Sequence, residues 1–200
     1  MKVSRLERFY RIHAKFYNLT RRFYLLDRQR AVERLDIQPD NLIFDYGCGT
    51  GLNIPFLLAK TSPDRLIGID YATAMLDIAR RRYPWLKLIR GDMTTPCIAP
   101  RTADRILCTY ALSMVDDWQQ ALLRMKHALS ETGVLVILDF HTWYGRLRAF
   151  YPPFKRWLHL HGVDTEQPVI PFMNHHFHHV EHFPLRSGYN VIIVATTPRG

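Results

Sequence analysis

The stretch Leu42-Ile43-Phe44-Asp45-Tyr46-Gly47-Cys48-Gly49-Thr50-Gly51 constrains this chain more than any other. A short apolar run carries an acid near its end and passes straight into three glycines on alternate positions. An apolar run of that length reads as a buried parallel strand, and the glycines as the turn leading into a helix. Glycine lets the backbone come close to a ligand, and a helix start behind it offers free N–H groups. Such a turn belongs to a nucleotide-binding α/β unit.

The spacing narrows the ligand. The dinucleotide fingerprint G-x-G-x-x-G holds a pyrophosphate at a helix start. Here the pattern is Gly47-x-Gly49-x-Gly51, with Asp45 two residues ahead of the first glycine. A carboxylate there repels a pyrophosphate but suits an ammonium group. S-adenosylmethionine carries an ammonium, a carboxylate, a sulfonium and an adenosine, and no phosphate. A tight turn without ligand is the alternative for the glycines alone, but the next acid weighs against it. Asp70 ends a second apolar strand, Leu66-Ile67-Gly68-Ile69. A carboxylate about 20 residues beyond the glycines is placed for a ribose diol.

At 200 residues the chain fits one domain with a real core. Hydrophobic residues at 48% and charged ones at 22% exclude a disordered or fibrous chain. The odd number of cysteines (Cys48, Cys97, Cys108), each in or near a strand or turn, reads as reduced packing residues of a cytoplasmic protein. No apolar run approaches the roughly 20 residues of a spanning helix, and no secretory signal is seen.

The net charge of +9 is uneven. Residues 1–34 hold ten basic residues against three acids, Glu7, Asp27 and Glu33. Leu6, Phe9, Tyr10, His13, Phe16, Tyr17, Phe23 and Tyr24 recur among them at near-helical spacing. A basic amphipathic helix rich in aromatics suits an anionic membrane surface, which would make residues 1–30 a docking segment. A lid helix with merely solvated arginines is the equal alternative. Nucleic acid is not expected, because no binding module follows.

The remaining pattern alternates strands and helices. Ile54, Leu57 and Leu58 line a short helix with Pro55 in its first turn. Ala72 to Tyr83 is the next, with Met75, Ile78 and Ala79 inward and the triplet Arg80, Arg81 and Arg82 solvated. Leu86 to Ile89 is the third strand, ending in Gly91-Asp92-Met93, where Asp92 suits the adenine amino group and Met93 its ring. An Asp that merely caps a turn is the other reading of Asp92. Asp104 to Tyr110 is the fourth strand, Gln119 to Leu129 a helix, and Glu131-Thr132-Gly133 a turn into the fifth strand, Val134 to Phe140. Five strands alternating with helices give a parallel sheet with its ligand beyond the strands' carboxyl ends. Tyr71 and Thr109, beside two of those ends, join the expected cofactor-binding set.

From His141 to Phe172 aromatic and basic residues interleave around Pro152-Pro153, as in a substrate-covering or interfacial segment. Phe177 to Leu185 and Asn190 to Thr196 form a hairpin that adds an antiparallel strand. His175, His176, His178, His179 and His182 match no familiar zinc spacing, so no metal site is expected. The chain thus divides into residues 1–36 (lid or membrane segment), 41–140 (cofactor core), 141–172 (acceptor side) and 173–200 (hairpin).

On these residues the chain resembles the class I S-adenosylmethionine-dependent methyltransferases. The resemblance runs from Asp45–Gly51 through Asp70 and Gly91-Asp92 to the terminal hairpin. It implies a Rossmann-like, doubly wound sheet of seven strands, mostly parallel with one antiparallel strand, under an N-terminal helical lid. S-adenosylmethionine would be the cofactor and S-adenosylhomocysteine the product. A narrower likeness rests on residues 9–17, Tyr110-Ala111-Leu112-Ser113-Met114, Asp139-Phe140 and Gly188-Tyr189-Asn190. These resemble the N-methyltransferases of bacterial betaine-lipid and phosphatidylethanolamine methylation. That likeness implies an amine headgroup as acceptor and a peripheral place on the inner face of the membrane. A soluble amine, a phenol or a quinone is the alternative acceptor, and a non-catalytic adenosyl-binding protein a further one. In-line methyl transfer needs alignment, exclusion of water and an acceptor for the substrate proton. Tyr17, Tyr110 and His141 are the expected acceptor-side residues, each with a plain packing role as its alternative.

Overall fold

The computed structural model describes residues 26–199. The apolar runs form seven strands: β1 (Ile43–Tyr46), β2 (Leu66–Asp70), β3 (Lys87–Arg90), β4 (Ala103–Thr109), β5 (Leu129–Phe140), β6 (Phe177–Leu185) and β7 (Asn190–Pro198). Between and around them lie α1 (Arg28–Glu33), α2 (Ile54–Leu58), α3 (Thr73–Arg82), α4 (Trp118–Ala128), α5 (Tyr151–Leu160) and α6 (Val169–His176). One sheet holds all seven strands in the order β3-β2-β1-β4-β5-β7-β6. β1 to β5 pair in parallel, and β7 runs antiparallel to both of its neighbours. This is the expected Rossmann-like arrangement.

Strand alternation sends neighbouring residues to opposite faces, and each face is covered. Phe44 and Tyr46 join Ile106, Cys108 and Ile137 in a cluster with Leu122 and Met125 of α4. Ile43 joins Leu66, Leu107 and Val136 in a second cluster with Val32 of α1 and Leu57 of α2. Each fully buried side chain of this size contributes about 1.5–3 kcal/mol, so the two clusters fix the strand ends as a rigid rim. The chain winds outward from β1 to β3 and then crosses to β4 on the other side. The resulting switch point between β1 and β4 is where such sheets leave a crevice.

Several local expectations are corrected. On α3 it is Leu76 that is buried with Met75 and Ala79, whereas Ile78 is only partly covered. No helix links β3 to β4, so strict alternation fails there. The turn at 131–133 survives as a bulge inside β5: Leu129 pairs with Ala103 and Val134 with Arg105, leaving the residues between them looped out. The loosely patterned stretch after β5 is largely helical. His175 and His176 close α6, whose apolar residues override the strand-like alternation, and only the later histidines lie on β6. Among the described residues no helix is long and apolar enough to cross a membrane.

Candidate active site

A cavity of about 300 Å³ opens at the switch point. Its floor is the turn after β1, where Gly47, Gly49 and Gly51 all take positive φ (70°, 56° and 81°). At Gly47 that conformation is obligatory for a further reason. A Cβ there would lie closer than 3.0 Å to the Cβ of Ala111, on the loop after β4. The glycine therefore sets the width of the cavity between two loops.

The turn differs from the sequence expectation in how it meets a ligand. α2 behind it is only five residues long. The N–H groups of Gly47 and Cys48 donate to the Ile69 carbonyl (2.8 and 3.0 Å), and that of Gly51 to Cys48 (2.9 Å). Gly49 N–H donates to Asp70 Oδ2 at 2.8 Å. The loop thus contributes close approach rather than those four amides.

Asp70 sits at the cavity wall, with Tyr71 beside it. Its Oδ1 accepts from Ala72 N–H at 2.8 Å, so the carboxylate clamps both the glycine turn and the start of α3. Burial pushes its pKa up against those hydrogen bonds. Asp92 and Met93 line the same wall. Asp92 Oδ1 is also taken by the N–H (2.9 Å) and hydroxyl (2.8 Å) of Thr94, so it both caps a turn and faces the cavity. Thr109, Ala111, Met114 and Val115 form the facing wall.

Asp45 is placed differently from its expectation. It does not line the cavity but is fully buried behind it, on the β1 face that packs under α1 and α2. Its Oδ1 accepts from Asn53 Nδ2 at 2.7 Å, while Oδ2 has no partner. Asn53 also donates to Thr109 Oγ1 (2.9 Å). Arg28 donates to Asn53 Oδ1 (2.7 Å) and to Thr109 Oγ1, and lies 5.2 Å from the centre of the Tyr110 ring. Arg28 reaches the cavity and is the one cation among its described lining residues. Nothing in the sequence singles out Arg28, which is one basic residue in a basic run.

Burial, opposed by the Asn53 hydrogen bond and the Arg28 charge, pushes the Asp45 pKa up to about 7. A carboxyl raised in the folded state binds more protons there than when unfolded, so stability falls as pH rises from about 4 to 7. The expected slope from this group is about 1 kcal/mol per pH unit. Asp70 and Asp139 shift in the same direction, so Asp45→Asn isolates one contribution. Urea unfolding at pH 5 and pH 7 should show a smaller difference for Asp45→Asn than for wild type. Equal differences would mean that Asp45 titrates normally.

Of the three expected acceptor-side residues, the two that are described, Tyr110 and His141, line different cavities. Tyr17 lies outside the described residues. Tyr110 lines the cavity, in a left-handed conformation (φ 53°). Its hydroxyl donates to the Leu26 carbonyl at 2.7 Å and accepts from Asn190 Nδ2 at 2.9 Å. Burial raises its pKa, and both hydrogen bonds of the hydroxyl tie the loop after β4 to Leu26 and Asn190. His141 borders a second, smaller cavity of about 140 Å³ with Ser113, Asp139 and Gln167. Burial, then the charge of His182, lowers its pKa and leaves the ring neutral near pH 7. Asp139, seen in the sequence only through the family likeness, accepts from Ser113 N–H (2.9 Å), Ser113 Oγ–H (2.6 Å) and Phe140 N–H (2.8 Å). It fixes the loop between the two cavities. Burial raises the thiol pKa of Cys48 and Cys108, which leaves both as inert packing groups.

The lining fits S-adenosylmethionine. Two carboxylates at strand ends can accept from ribose and adenine donors, Ile69, Met75 and Met93 offer apolar surface to a ring, and Arg28 suits a carboxylate. A family model described as a methyltransferase domain matches residues 43–133. The chain is 31% identical to a 2-phytyl-1,4-naphtoquinone methyltransferase of Thermosynechococcus vestitus, over 84% of this chain and 86% of the relative. It is 27% identical to a demethylmenaquinone methyltransferase of Streptomyces avermitilis, over 70% of this chain and 63% of that one. A solved Thermotoga maritima methyltransferase, described as a possible histamine N-methyltransferase, superposes with a TM-score of 0.68 at 20% identity. That superposition covers 96% of this chain and 97% of the other. These similarities support the methyltransferase reading and do not show the narrower betaine-lipid likeness.

Proposed function

The chain belongs to the class I S-adenosylmethionine-dependent methyltransferases, and on that premise we propose that it methylates a prenylated naphthoquinol or a related prenylquinone precursor. One observation carries this reading. The similarity to the 2-phytyl-1,4-naphtoquinone methyltransferase reaches well past the cofactor core, over 84% of the chain. The apolar wall of Ala111, Met114 and Val115 suits a fused aromatic acceptor.

The bound cofactor supplies an electrophilic methyl group on sulfonium. The residues of the chain hold and align. Asp70 accepts from the ribose hydroxyls, Asp92 from the adenine amino group, and Arg28 pairs with the carboxylate. Asp45 and Asn53 position Arg28 and Thr109. The apolar wall of Ala111, Met114 and Val115 limits water at the reacting atoms. A quinol carbon attacks best when its hydroxyl loses a proton, and a neutral His141 at the neighbouring cavity is the group assigned to take it.

Methyl-labelled cofactor incubated with reduced 2-phytyl-1,4-naphthoquinone, and separately with total bacterial lipid, tests the acceptor. Label in a ring methyl supports the quinol. Label in a lipid amine, with none in the quinol, overturns it and restores the headgroup N-methyltransferase reading. His141→Ala is expected to leave cofactor affinity unchanged and to lower turnover by roughly a hundredfold, the usual contribution of a general base. Unchanged turnover with the true acceptor would remove His141 from the chemistry.

A further inference from the structure

The segment after β5 builds a surface that the methyl-transfer site does not use. On and just before α5, Phe150, Pro153, Trp157 and Leu160 are all exposed. Their spacing is i, i+3, i+7 and i+10, which sets them in one stripe along the helix. Phe150 is 65% exposed, Leu160 77% and Trp157 39%. Isolated apolar residues at a surface are ordinary, but a stripe of large ones at one register is not. The opposite side of α5 is the packed side, where Tyr151 and Leu158 are buried.

The charges carried by the segment itself have one sign, and the nearest acids along the chain, Asp164 and Glu166, follow it. The sequence holds no acid between Asp139 and Asp164, while Arg148 and Arg156 are exposed there with His159. Lys155 pairs with Glu166. An apolar stripe tipped with Trp and flanked by arginines is complementary to an anionic lipid surface, where rings enter the headgroup boundary and guanidinium groups meet phosphate. A protein partner of ordinary composition would not call for exposed arginines on a segment that carries no acid of its own.

The stripe is also tied to the cavity. Trp157 stacks on Phe154 (centroids 5.8 Å apart), Phe154 meets Phe140 edge-on (6.3 Å), and Phe140 meets Tyr110 (5.0 Å), a residue of the cavity wall. One aromatic ladder thus runs from the exposed face to the cavity wall.

We propose that α5 and the turn before it form a docking surface for an anionic bilayer, with Phe150, Trp157 and Leu160 entering the headgroup boundary and Arg148 and Arg156 holding lipid phosphates. The surface would bring a bilayer-resident acceptor to the same end of the molecule as the cavity, and the basic residues 1–25 lie outside the described residues.

The full chain, with Cys97→Ser to limit labelling, is given an environment-sensitive dye at Leu160→Cys, or as a control at Arg81→Cys on α3. Each is mixed with vesicles of phosphatidylcholine and phosphatidylglycerol, or of phosphatidylcholine alone. No acceptor or cofactor is present, so the result is independent of which substrate is methylated. The dye at 160 should shift to the blue with the anionic vesicles, be quenched by nitroxide-labelled lipid, and lose the shift in high salt. The dye at 81 should not respond. Phe150→Ser with Leu160→Ser should weaken vesicle partition by roughly tenfold or more, with an unchanged melting temperature because both side chains are exposed. Vesicle binding without a response at 160, partition indifferent to the double substitution, or no binding to anionic vesicles would each overturn the proposal.

Discussion

Gly47→Ala is expected to abolish cofactor binding and to lower the melting temperature by about 5–15 °C. Two costs add. Alanine held at φ +70° loses roughly 1–2 kcal/mol relative to its normal conformations. Its Cβ would also press into Ala111 Cβ, a side chain with no flexible end to move aside, and overpacking of this kind costs about 1–3 kcal/mol. For a chain of 200 residues each kcal/mol lowers the melting temperature by about 2–4 °C. The relief of either strain widens the gap between the β1 and β4 loops, and the cofactor loses its floor. Thermal melts with and without S-adenosylmethionine measure both effects. Adding Ala111→Gly should return part of the stability, because it removes the clash and leaves the backbone cost. A Gly47→Ala protein that melts and binds like wild type would show that the two loops adjust freely.

Asp70→Ala is expected to weaken S-adenosylmethionine binding tenfold or more while the sheet stays folded. A hydrogen bond to a charged group is worth about 1.5–3 kcal/mol, and the ribose would lose such a partner. The same substitution leaves the N–H groups of Gly49 and Ala72 without their acceptor, so the floor of the cavity loosens as well. Asp70→Asn, which keeps an acceptor for one of the two amides, should fall between. Calorimetry showing unchanged affinity in a folded Asp70→Ala protein would remove Asp70 from the cofactor site.

The parts legible in the sequence are those set by local rules. Glycines on alternate positions, acids at strand ends and short apolar runs placed β1, β2 and the cavity floor between them. The parity of β1 was legible too, since Asp45 alternates with Phe44 and Tyr46. Its burial behind the cavity follows only once α1 and α2 are known to cover that face. Arg28 could not be singled out, because its partners Asn53 and Thr109 lie 25 and 81 residues away. Ser113 and Asp139 meet across 26 residues for the same reason. The helices after β5 were hidden by prolines and aromatics that break any simple period, although Pro152 and Pro153 sit in the first turn of α5, where proline is tolerated.

The antiparallel course of β7 has a consequence for the order in which the molecule assembles. Because β7 starts beside Phe140, its preceding turn returns to the rim of the sheet, where Arg186 and Asn190 grip Asp27 at 2.7 and 3.1 Å. These contacts span 159 and 163 residues. Asp27 follows directly on Leu26, whose carbonyl holds the Tyr110 hydroxyl. Contacts so distant in the chain form late, after the loop between them has closed. During synthesis β1 to β4 and the glycine turn therefore pair long before Leu26 and Asp27 are fastened. Leu26 and Asp27 gain that anchor only when the turn before β7 has left the ribosome and β7 has slid between β5 and β6.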